Sequence, residues 1–269
     1  MRTNSTTPDS DAPSSSQRGP LATICRGVFR LFYVPHALAT LIALMVIAAL
    51  LALLLPSLAA RRFSTHWLAR AWLAIAFLRL RIDGLEHLPA GSCVLVANHG
   101  SYLDGVVMKA ALPPRFSFVI KREASSMPIV GLLLRRIGSE FVDRHSAGGR
   151  QRDARRVMAR AGQGHSLVFF PEGTFDSVVG LKRFHIGAFV AAARGGLPLV
   201  PSVIHGARQS MPNGAIAPHP GVIRVEILPP IDSSGREPDD LRDAARAVML
   251  EHVGEPDLAE LAYATPSTR

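Results

Sequence analysis

The feature that most constrains this chain is a gap in its charges. Between Arg30 and Arg61 there is no Asp, Glu, Lys or Arg, and "ALATLIALMVIAALLALLLPSLAA" (37–60) exceeds the roughly 20 apolar residues that cross a bilayer. A soluble domain of this size rarely hides so uniformly apolar a helix, so the segment reads as membrane-associated rather than as a buried core helix. Arg18, Arg26 and Arg30 precede the run, and Arg61, Arg62, Arg70, Arg79 and Arg81 follow it. Both flanks are basic, and the larger excess after Arg61 puts the following domain on the cytoplasmic side. In the next stretch, "RRFSTHWLARAWLAIAFLRLRIDG", Arg62, His66 and Arg70 fall at i, i+4, i+8 beside Trp67, Leu68, Ala71 and Trp72. That is the pattern of a helix lying among headgroups, its Trp rings at the interface and its Arg heads near phosphates. Two membrane-seeking helices in series make either a span or a shallow hairpin.

Composition narrows the function classes. Lys and Arg number 30 against 21 Asp and Glu, a net charge of +9 on a chain that is 48% hydrophobic. Basic and apolar together point to an anionic membrane surface. Aromatic residues make up only 6% and leave little for base stacking, and no nucleic-acid-binding motif is present, so no nucleic-acid partner is expected. The two cysteines, Cys25 and Cys93, do not make a disulfide framework; both read as small buried hydrophobes in a reducing compartment. Residues 1–20 are rich in Ser, Thr, Pro and Asp and cannot bury enough apolar surface to offset their ordering entropy, so a disordered tail is expected there. So long a polar leader is also unlike a secretory signal, whose charged n-region is short.

From Leu85 onward the texture changes. Cys93–Ala97, Phe116–Ile120, Glu140–Val142, Leu167–Phe170, Leu199–Val203 and Val222–Leu228 read as strands. Leu103–Leu112, Pro128–Ile137, Arg150–Ala161, Gly187–Arg194 and Pro238–His252 read as helices, the last with acidic residues in its first turn. Alternation of this kind predicts an α/β fold, a mostly parallel sheet with helices on both faces, preceded by N-terminal membrane-associated helices. The expected division is a disordered tail over 1–20, a membrane-associated helical segment over 21–84, an α/β domain over 85–252 and a loosely attached tail over 253–269.

Ionisable residues cluster where this scaffold puts strand ends. His99 comes two residues after the first strand, and Lys121-Arg122-Glu123 follow the second. Asp143-Arg144 follow the third, and Pro171-Glu172-Gly173-Thr174 the fourth. The carboxyl ends of parallel strands form the crevice where ligands bind, so these clusters together predict a site. A His with a pKa near ~6.5 is the natural base for a hydroxyl proton at neutral pH. Asp104, in the first turn of the next helix, can fold back to accept Nδ1–H; the plainer alternative is a helix cap. No G-x-S-x-G elbow accompanies the pair, which argues against a covalent enzyme intermediate, and no H-E-x-x-H spacing supports a metal.

These residues resemble a known family. "NHGSYLD" (98–104) resembles the N-H-x-x-x-x-D motif of the glycerolipid acyltransferases related to lysophosphatidate acyltransferase, and "FPEGT" (170–174) resembles their second signature. "GSEFVDR" (138–144), "KRE" (121–123) and "LPLVPSVIHG" (197–206) are similar to further family blocks, in order, over about residues 85–230. The resemblance implies transfer of a fatty acyl group from an acyl thioester, acyl-CoA or acyl carrier protein, to the free hydroxyl of a lysolipid in the membrane. Foremost among such acceptors is 1-acylglycerol-3-phosphate. It makes His99 the general base and Asp104 its partner, and it implies neither metal nor organic cofactor. It assigns Glu172, Gly173 and Thr174 to acceptor binding and site architecture, with their backbone amides as candidate oxyanion donors. Lys121 and Arg144 would hold anionic groups of donor or acceptor. The sequence departs from the family at two points, one of them the block that often reads F-K-x-G, which here is Phe184-His185-Ile186-Gly187 with Lys182-Arg183 just before it. Many lysophosphatidate-specific members read E-G-T-R-S, whereas this chain has Thr174-Phe175-Asp176. A missing arginine removes a bidentate phosphate partner, and Lys182 or Arg183 are the candidates to replace it. Phe175 therefore keeps another lysolipid acceptor, such as lyso-ornithine lipid, in play. A non-catalytic anionic-lipid-binding protein and a thioester hydrolase are the remaining alternatives. The implied location is the cytoplasmic (inner) membrane, with the catalytic domain facing the cytoplasm.

Overall fold

The computed structural model describes residues 20–143 and 165–259, together with residues 156, 157, 159, 160 and 163. All of the expected tail over 1–20 except Pro20, and most of the expected helix over 150–161, lie outside the described residues. The chain opens with two helices, α1 (Pro20–Leu54) and α2 (Leu58–Ile75). Strand β1 (Leu78–Asp83) follows, then β2 (Val94–Ala97), α3 (Leu103–Ala111), β3 (Phe116–Lys121), α4 (Val130–Arg136) and β4 (Glu140–Val142). Strand β5 (Ser166–Phe169), α5 (Gly187–Gly195), β6 (Leu199–His205), the short α6 (Ala207–Ser210), β7 (Gly221–Ile227) and α7 (Pro238–Val253) complete it.

The seven strands form one sheet in the order β1-β7-β6-β2-β5-β3-β4. Every neighbouring pair is parallel except β6 with β7. The expected mostly parallel α/β sheet is therefore the observed fold. Its central strand β2 is buried along its whole length because both faces are covered. Leu95 and Ala97 pack with Trp72 and Leu73 of α2 and Val107 and Met108 of α3. Val94 and Val96 pack on the other face with Phe189 of α5 and Leu241, Ala245 and Met249 of α7. A strand buried on both sides reads as a continuous apolar run, which is why its sequence signal was clear.

Three expectations about the flanks need correcting. The apolar run is not one helix: α1 ends at Leu54, Pro56 breaks it, and Ser57 caps α2 by accepting a hydrogen bond from the Ala60 amide (3.1 Å). Nor does the helical segment reach residue 84. Phe77 turns the chain in a left-handed conformation (φ +53°), and Leu78, Leu80 and Ile82 alternate with Arg79, Arg81 and Asp83 as an edge strand paired with β7. At the other end, residues 255–259 are tied down rather than loose. Leu181 donates to the Pro256 carbonyl (2.9 Å), Leu258 donates back to Leu181 (3.1 Å), and Arg246 pairs with Asp257 (2.6 Å).

Helices α1 and α2 form an antiparallel hairpin against the domain. Tyr33 Oη donates to the Ala76 carbonyl (2.8 Å), and Trp72 Nε1 donates to the Ala37 carbonyl (3.3 Å). At the far end of α1, Arg136 of α4 donates to the carbonyls of Ala52 (2.9 Å) and Leu53 (3.1 Å), which have no partner within the helix. Helix α1 is thus held to the protein near Tyr33 and Ala37 and again at its C-terminal end. The Arg62, His66 and Arg70 stripe faces inward, not toward headgroups, and Trp72 is buried. Arg62 is 6% exposed; it donates to the carbonyls of Ile137 (2.9 Å) and Arg115 (3.1 Å) and to Ser117 Oγ. His66 Nδ1 meets the Lys109 carbonyl (3.0 Å) and Arg70 donates to the Ala110 carbonyl (3.0 Å). These are the orphan carbonyls at the C-terminal end of α3, where a cationic group also meets the favourable end of the helix dipole. What remains outward is apolar: Leu31, Phe32, Ile42, Ile47 and Leu50 on α1, and Phe63 and Trp67 on α2.

Candidate active site

Of the four strand ends expected to form the site, those of β2 and β5 are joined directly. His99 follows β2, and Glu172 follows β5, the neighbour of β2 in the sheet, at the carboxyl edge of the parallel strands. The Asp104 carboxylate sits in the first turn of α3 and is 1% exposed. Its Oδ2 accepts from His99 Nδ1 (2.8 Å), from the Gly100 amide (2.8 Å) and from the Ser101 amide (2.8 Å). Three donors and the N-terminal end of the helix dipole hold the anion in place. With Nδ1–H given to Asp104, the imidazole presents Nε2 as its acceptor. The helix-cap alternative and the His-orienting reading are thus both satisfied by one oxygen.

The His99 ring is clamped on its faces as well. It stacks on Phe170 (centroids 4.5 Å apart, planes 24° apart), and Phe175 meets it edge-on at 4.7 Å. Phe175 in turn meets Tyr102 edge-on at 4.7 Å. Phe175 therefore forms a hydrocarbon wall of the histidine pocket, and 18% of the His99 side chain is exposed.

Glu172 is buried and points into the backbone rather than into open space. Oε1 accepts from the His99 amide (2.7 Å) and Oε2 from the Lys182 amide (2.9 Å), which joins the β2 and β5 loops. Burial pushes its pKa up to about 7, and the two amide bonds pull it down. The Gly173 amide donates to the Phe170 carbonyl (3.0 Å), and Thr174 is exposed. Lys182 forms an ion pair with Asp176 on this loop. Arg183 and Lys121 are exposed. Arg144 lies outside the described residues. Among the described residues, no group of three His, Cys, Asp or Glu side chains could hold a metal ion.

Two supporting residues escaped sequence reasoning. Asn98 spans from β2 to β6, donating to the Ile204 carbonyl (3.1 Å) and accepting from its amide (2.7 Å). Arg208 braces the Phe175 loop from below, donating to the carbonyls of Asp176 (3.2 Å) and Val178 (3.1 Å). Its guanidinium lies beside Gly100: a Cβ there would come within 3.0 Å of Arg208 Nη2, so a side chain at residue 100 would have to push the guanidinium aside. Asn98 was on the page as the first letter of its motif. Arg208 had no signal.

Beside the site, an apolar cavity of about 320 Å³ runs between α1, α2, α3 and α4. Leu44, Trp72, Tyr102, Val106, Phe118 and Leu133 are among its walls, so α3 carries Asp104 in its first turn and the cavity wall along the same helix.

A mostly parallel α/β sheet with a His–Asp pair at its carboxyl edge and an apolar cavity alongside suits an enzyme that draws a proton beside an apolar chain. The comparisons make that class specific. The sequence model described as Acyltransferase matches residues 79–205. The chain is 33% identical over 252 residues to the chloroplastic 1-acyl-sn-glycerol-3-phosphate acyltransferase of Arabidopsis thaliana, covering 91% of this chain and 68% of that one. It is 30% identical over 208 residues to the lyso-ornithine lipid O-acyltransferase of Pseudomonas aeruginosa, covering 71% of this chain and 78% of that one. The 1-acyl-sn-glycerophosphate acyltransferase PlsC of Thermotoga maritima has the same fold, with a TM-score of 0.73 at 20% identity over 90% of this chain and all of that one. The chain belongs to the Acyltransferase family and is an O-acyltransferase of the lysolipid type.

Proposed function

We propose that this protein is a membrane-bound enzyme that acylates the free hydroxyl of 1-acylglycerol-3-phosphate to give phosphatidate, using acyl-CoA or acyl carrier protein as donor. The observation that carries the chemistry is the 2.8 Å bond from His99 Nδ1 to Asp104, which leaves Nε2 as base. Nε2 takes the proton of the acceptor hydroxyl as its oxygen attacks the thioester carbonyl. The C–O bond forms, the C–S bond breaks, and the imidazolium returns its proton to the departing thiolate. Asp104 stabilises the imidazolium and does not itself take the proton. The cavity receives the acyl chain, since a chain of methylenes is what apolar walls of that size favour.

Lys182 and Arg183 supply positive charge for the acceptor phosphate; Lys182 would exchange Asp176 for it. Glu172 builds the site by fixing the His99 backbone. On this reading the hairpin lies in one leaflet of the inner membrane with the domain on the cytoplasmic side, supported by the outward apolar face of α1 and the exposed Phe63 and Trp67. The stretch Leu31–Leu54 is long and apolar enough to cross a membrane, but Tyr33 bonds to the end of α2 and Ala52 and Leu53 to α4, which favours the shallow hairpin.

A second acceptor is favoured by one specific observation. Phe175 lies against His99 where a phosphate-binding arginine would stand, as suits a lysolipid without phosphate such as lyso-ornithine lipid. Thiol release from one long-chain acyl-CoA separates the readings. It is followed with lysophosphatidate, with a lyso-aminolipid and with no acceptor. Turnover with lysophosphatidate alone supports the phosphate acceptor, and turnover with the aminolipid alone transfers the assignment to that class. Release without acceptor makes the protein a hydrolase.

A further inference from the structure

The cavity beside the site contains one side chain that does not belong in hydrocarbon. Lys109 is the single charged residue among its lining residues. Tyr102, Val106 and Lys109 recur at helical spacing on one face of α3, which sets Lys109 roughly 7–8 Å along the axis from Asp104. Among the described residues its ammonium has no hydrogen bond and no ion pair. Apart from the Tyr102 hydroxyl on its own face, the charged or titratable groups near it belong to α2. Arg62 is cationic, His66 binds Lys109's own carbonyl, and Arg70 binds the next carbonyl. The walls contributed by α1, α4 and β3 are apolar, so no carboxylate answers the amine. Burial, with Arg62 adding to it, lowers the pKa of Lys109 to about 8. Lys109 is half-buried and its amine keeps access to water, the only hydroxyl-bearing residues of the described lining being Thr65 and Tyr102. An apolar chain that covered the amine would remove that water without supplying an acceptor.

We propose that Lys109 makes this cavity select acyl chains that carry an oxygen substituent, a hydroxyl or keto group along the chain, over saturated chains of equal length. The inference rests on the reading of the cavity as the acyl site. A saturated chain that fills the space strips water from the amine and returns nothing. A hydroxyl or keto oxygen accepts an N–H bond at the same point and removes that penalty. The group recognised is thus a polar substituent on the transferred chain, at a place remote from the bond that reacts.

The test uses the full chain in detergent, with octadecanoyl-CoA and a series in which a single hydroxyl is walked along the same chain. The readout is kcat/KM from thiol release at saturating acceptor. The expected result is a best-placed hydroxyl favoured about tenfold over the saturated chain, the scale set by one unsatisfied buried polar group. Lys109→Met removes that preference and raises turnover of the saturated chain. In the native protein the handicap of the saturated chain shrinks between about pH 7 and pH 9.5, as the amine loses its charge. Equal kcat/KM across the whole series, or a preference that survives in Lys109→Met, overturns the proposal. A second variant isolates the underlying reading. A Cβ at Gly105 meets nothing within 4 Å, so Gly105→Leu projects into open cavity. It should depress turnover of long chains and spare short ones. An unchanged chain-length profile removes the acyl chain from the cavity, and the selection by Lys109 with it.

Discussion

The two ends of α3 treat charge in opposite ways. At its N-terminal end one carboxylate oxygen of Asp104 accepts from three donors, and its partner His99 is walled by two phenylalanine rings. Toward its C-terminal end the Lys109 amine has no partner among the described residues, although His66 satisfies the backbone carbonyl of Lys109 itself and Arg70 the next. The first arrangement is preorganised: every dipole is in place before substrate arrives, so little reorganisation is left for the reaction. The second is incomplete without a ligand. A residue's burial does not say which kind it is; the count of its partners does.

The comparison breaks most sharply at His99. His99→Ala should lower acyl transfer at least about a hundredfold, the scale of a lost general base, while thermal unfolding stays close to native. Thiol release by the purified variant checks it, and near-native turnover would remove His99 from the mechanism. Asp104→Asn comes next. The amide oxygen can still accept from His99 and from the Gly100 and Ser101 amides, so the fold survives, but the imidazolium loses its counter-charge. A drop in kcat of roughly tenfold or more with little change in melting temperature would assign Asp104 to the chemistry. An equal loss of stability and no loss of rate would leave it as a helix cap.

Glu172 sharpens the same point through pH. Its folded-state pKa is raised to about 7 from an ordinary 4.5, so the folded protein holds this proton more tightly than the unfolded chain. The stability it contributes is therefore full below about pH 4.5, falls as pH rises toward 7, and levels off above. Melting temperatures of the native protein and of Glu172→Gln across that window should converge and then separate in this sense. A flat difference would mean the carboxyl titrates normally. The variant also presents an amide NH₂ to one of two backbone donors, a mismatch of about 1–3 kcal/mol at any pH.

Much of this was legible, and the reasons are local. The central strand announced itself as Val94–Ala97 because both faces are buried, and His99 and Asp104 sit five positions apart in one turn. What was hidden depends on contacts between distant positions. The bond from Glu172 to the His99 amide spans 73 residues, and that from Asn98 to Ile204 spans 106. Neither leaves a periodicity to find. Strand β1 was hidden for a different reason: the apolar pattern of α2 runs into it, and the break falls at Phe77, a residue that rarely takes a left-handed turn. The Arg62, His66 and Arg70 stripe was visible as a stripe. Its spacing fixed that the three share a face, but not whether that face meets phosphates or the carbonyl ends of α3.

That ambiguity gives the next prediction. Arg62→Met strands the carbonyls of Ile137 and Arg115 and should cost about 2 kcal/mol of stability, with activity per folded molecule and vesicle binding kept. Had the stripe served headgroups, the variant would keep its melting temperature and lose binding to anionic vesicles.

The smallest effect belongs to the residues that do face outward. Phe63 and Trp67 lie edge-to-face, ring centroids 6.2 Å apart, and are 58% and 53% exposed. A half-exposed aromatic ring that enters a membrane interface gains about 1 kcal/mol, so each replacement by alanine should weaken vesicle partition by about fivefold. Detergent activity should not change, since neither ring lines the cavity. The contrast between Arg62 and Trp67, five positions apart on α2, is then the membrane counterpart of the contrast within α3. The inward cation is answered by carbonyls, and the outward ring is answered only when lipid is present. Loss of vesicle binding in Arg62→Met with none in Trp67→Ala would invert that assignment and turn α2 over.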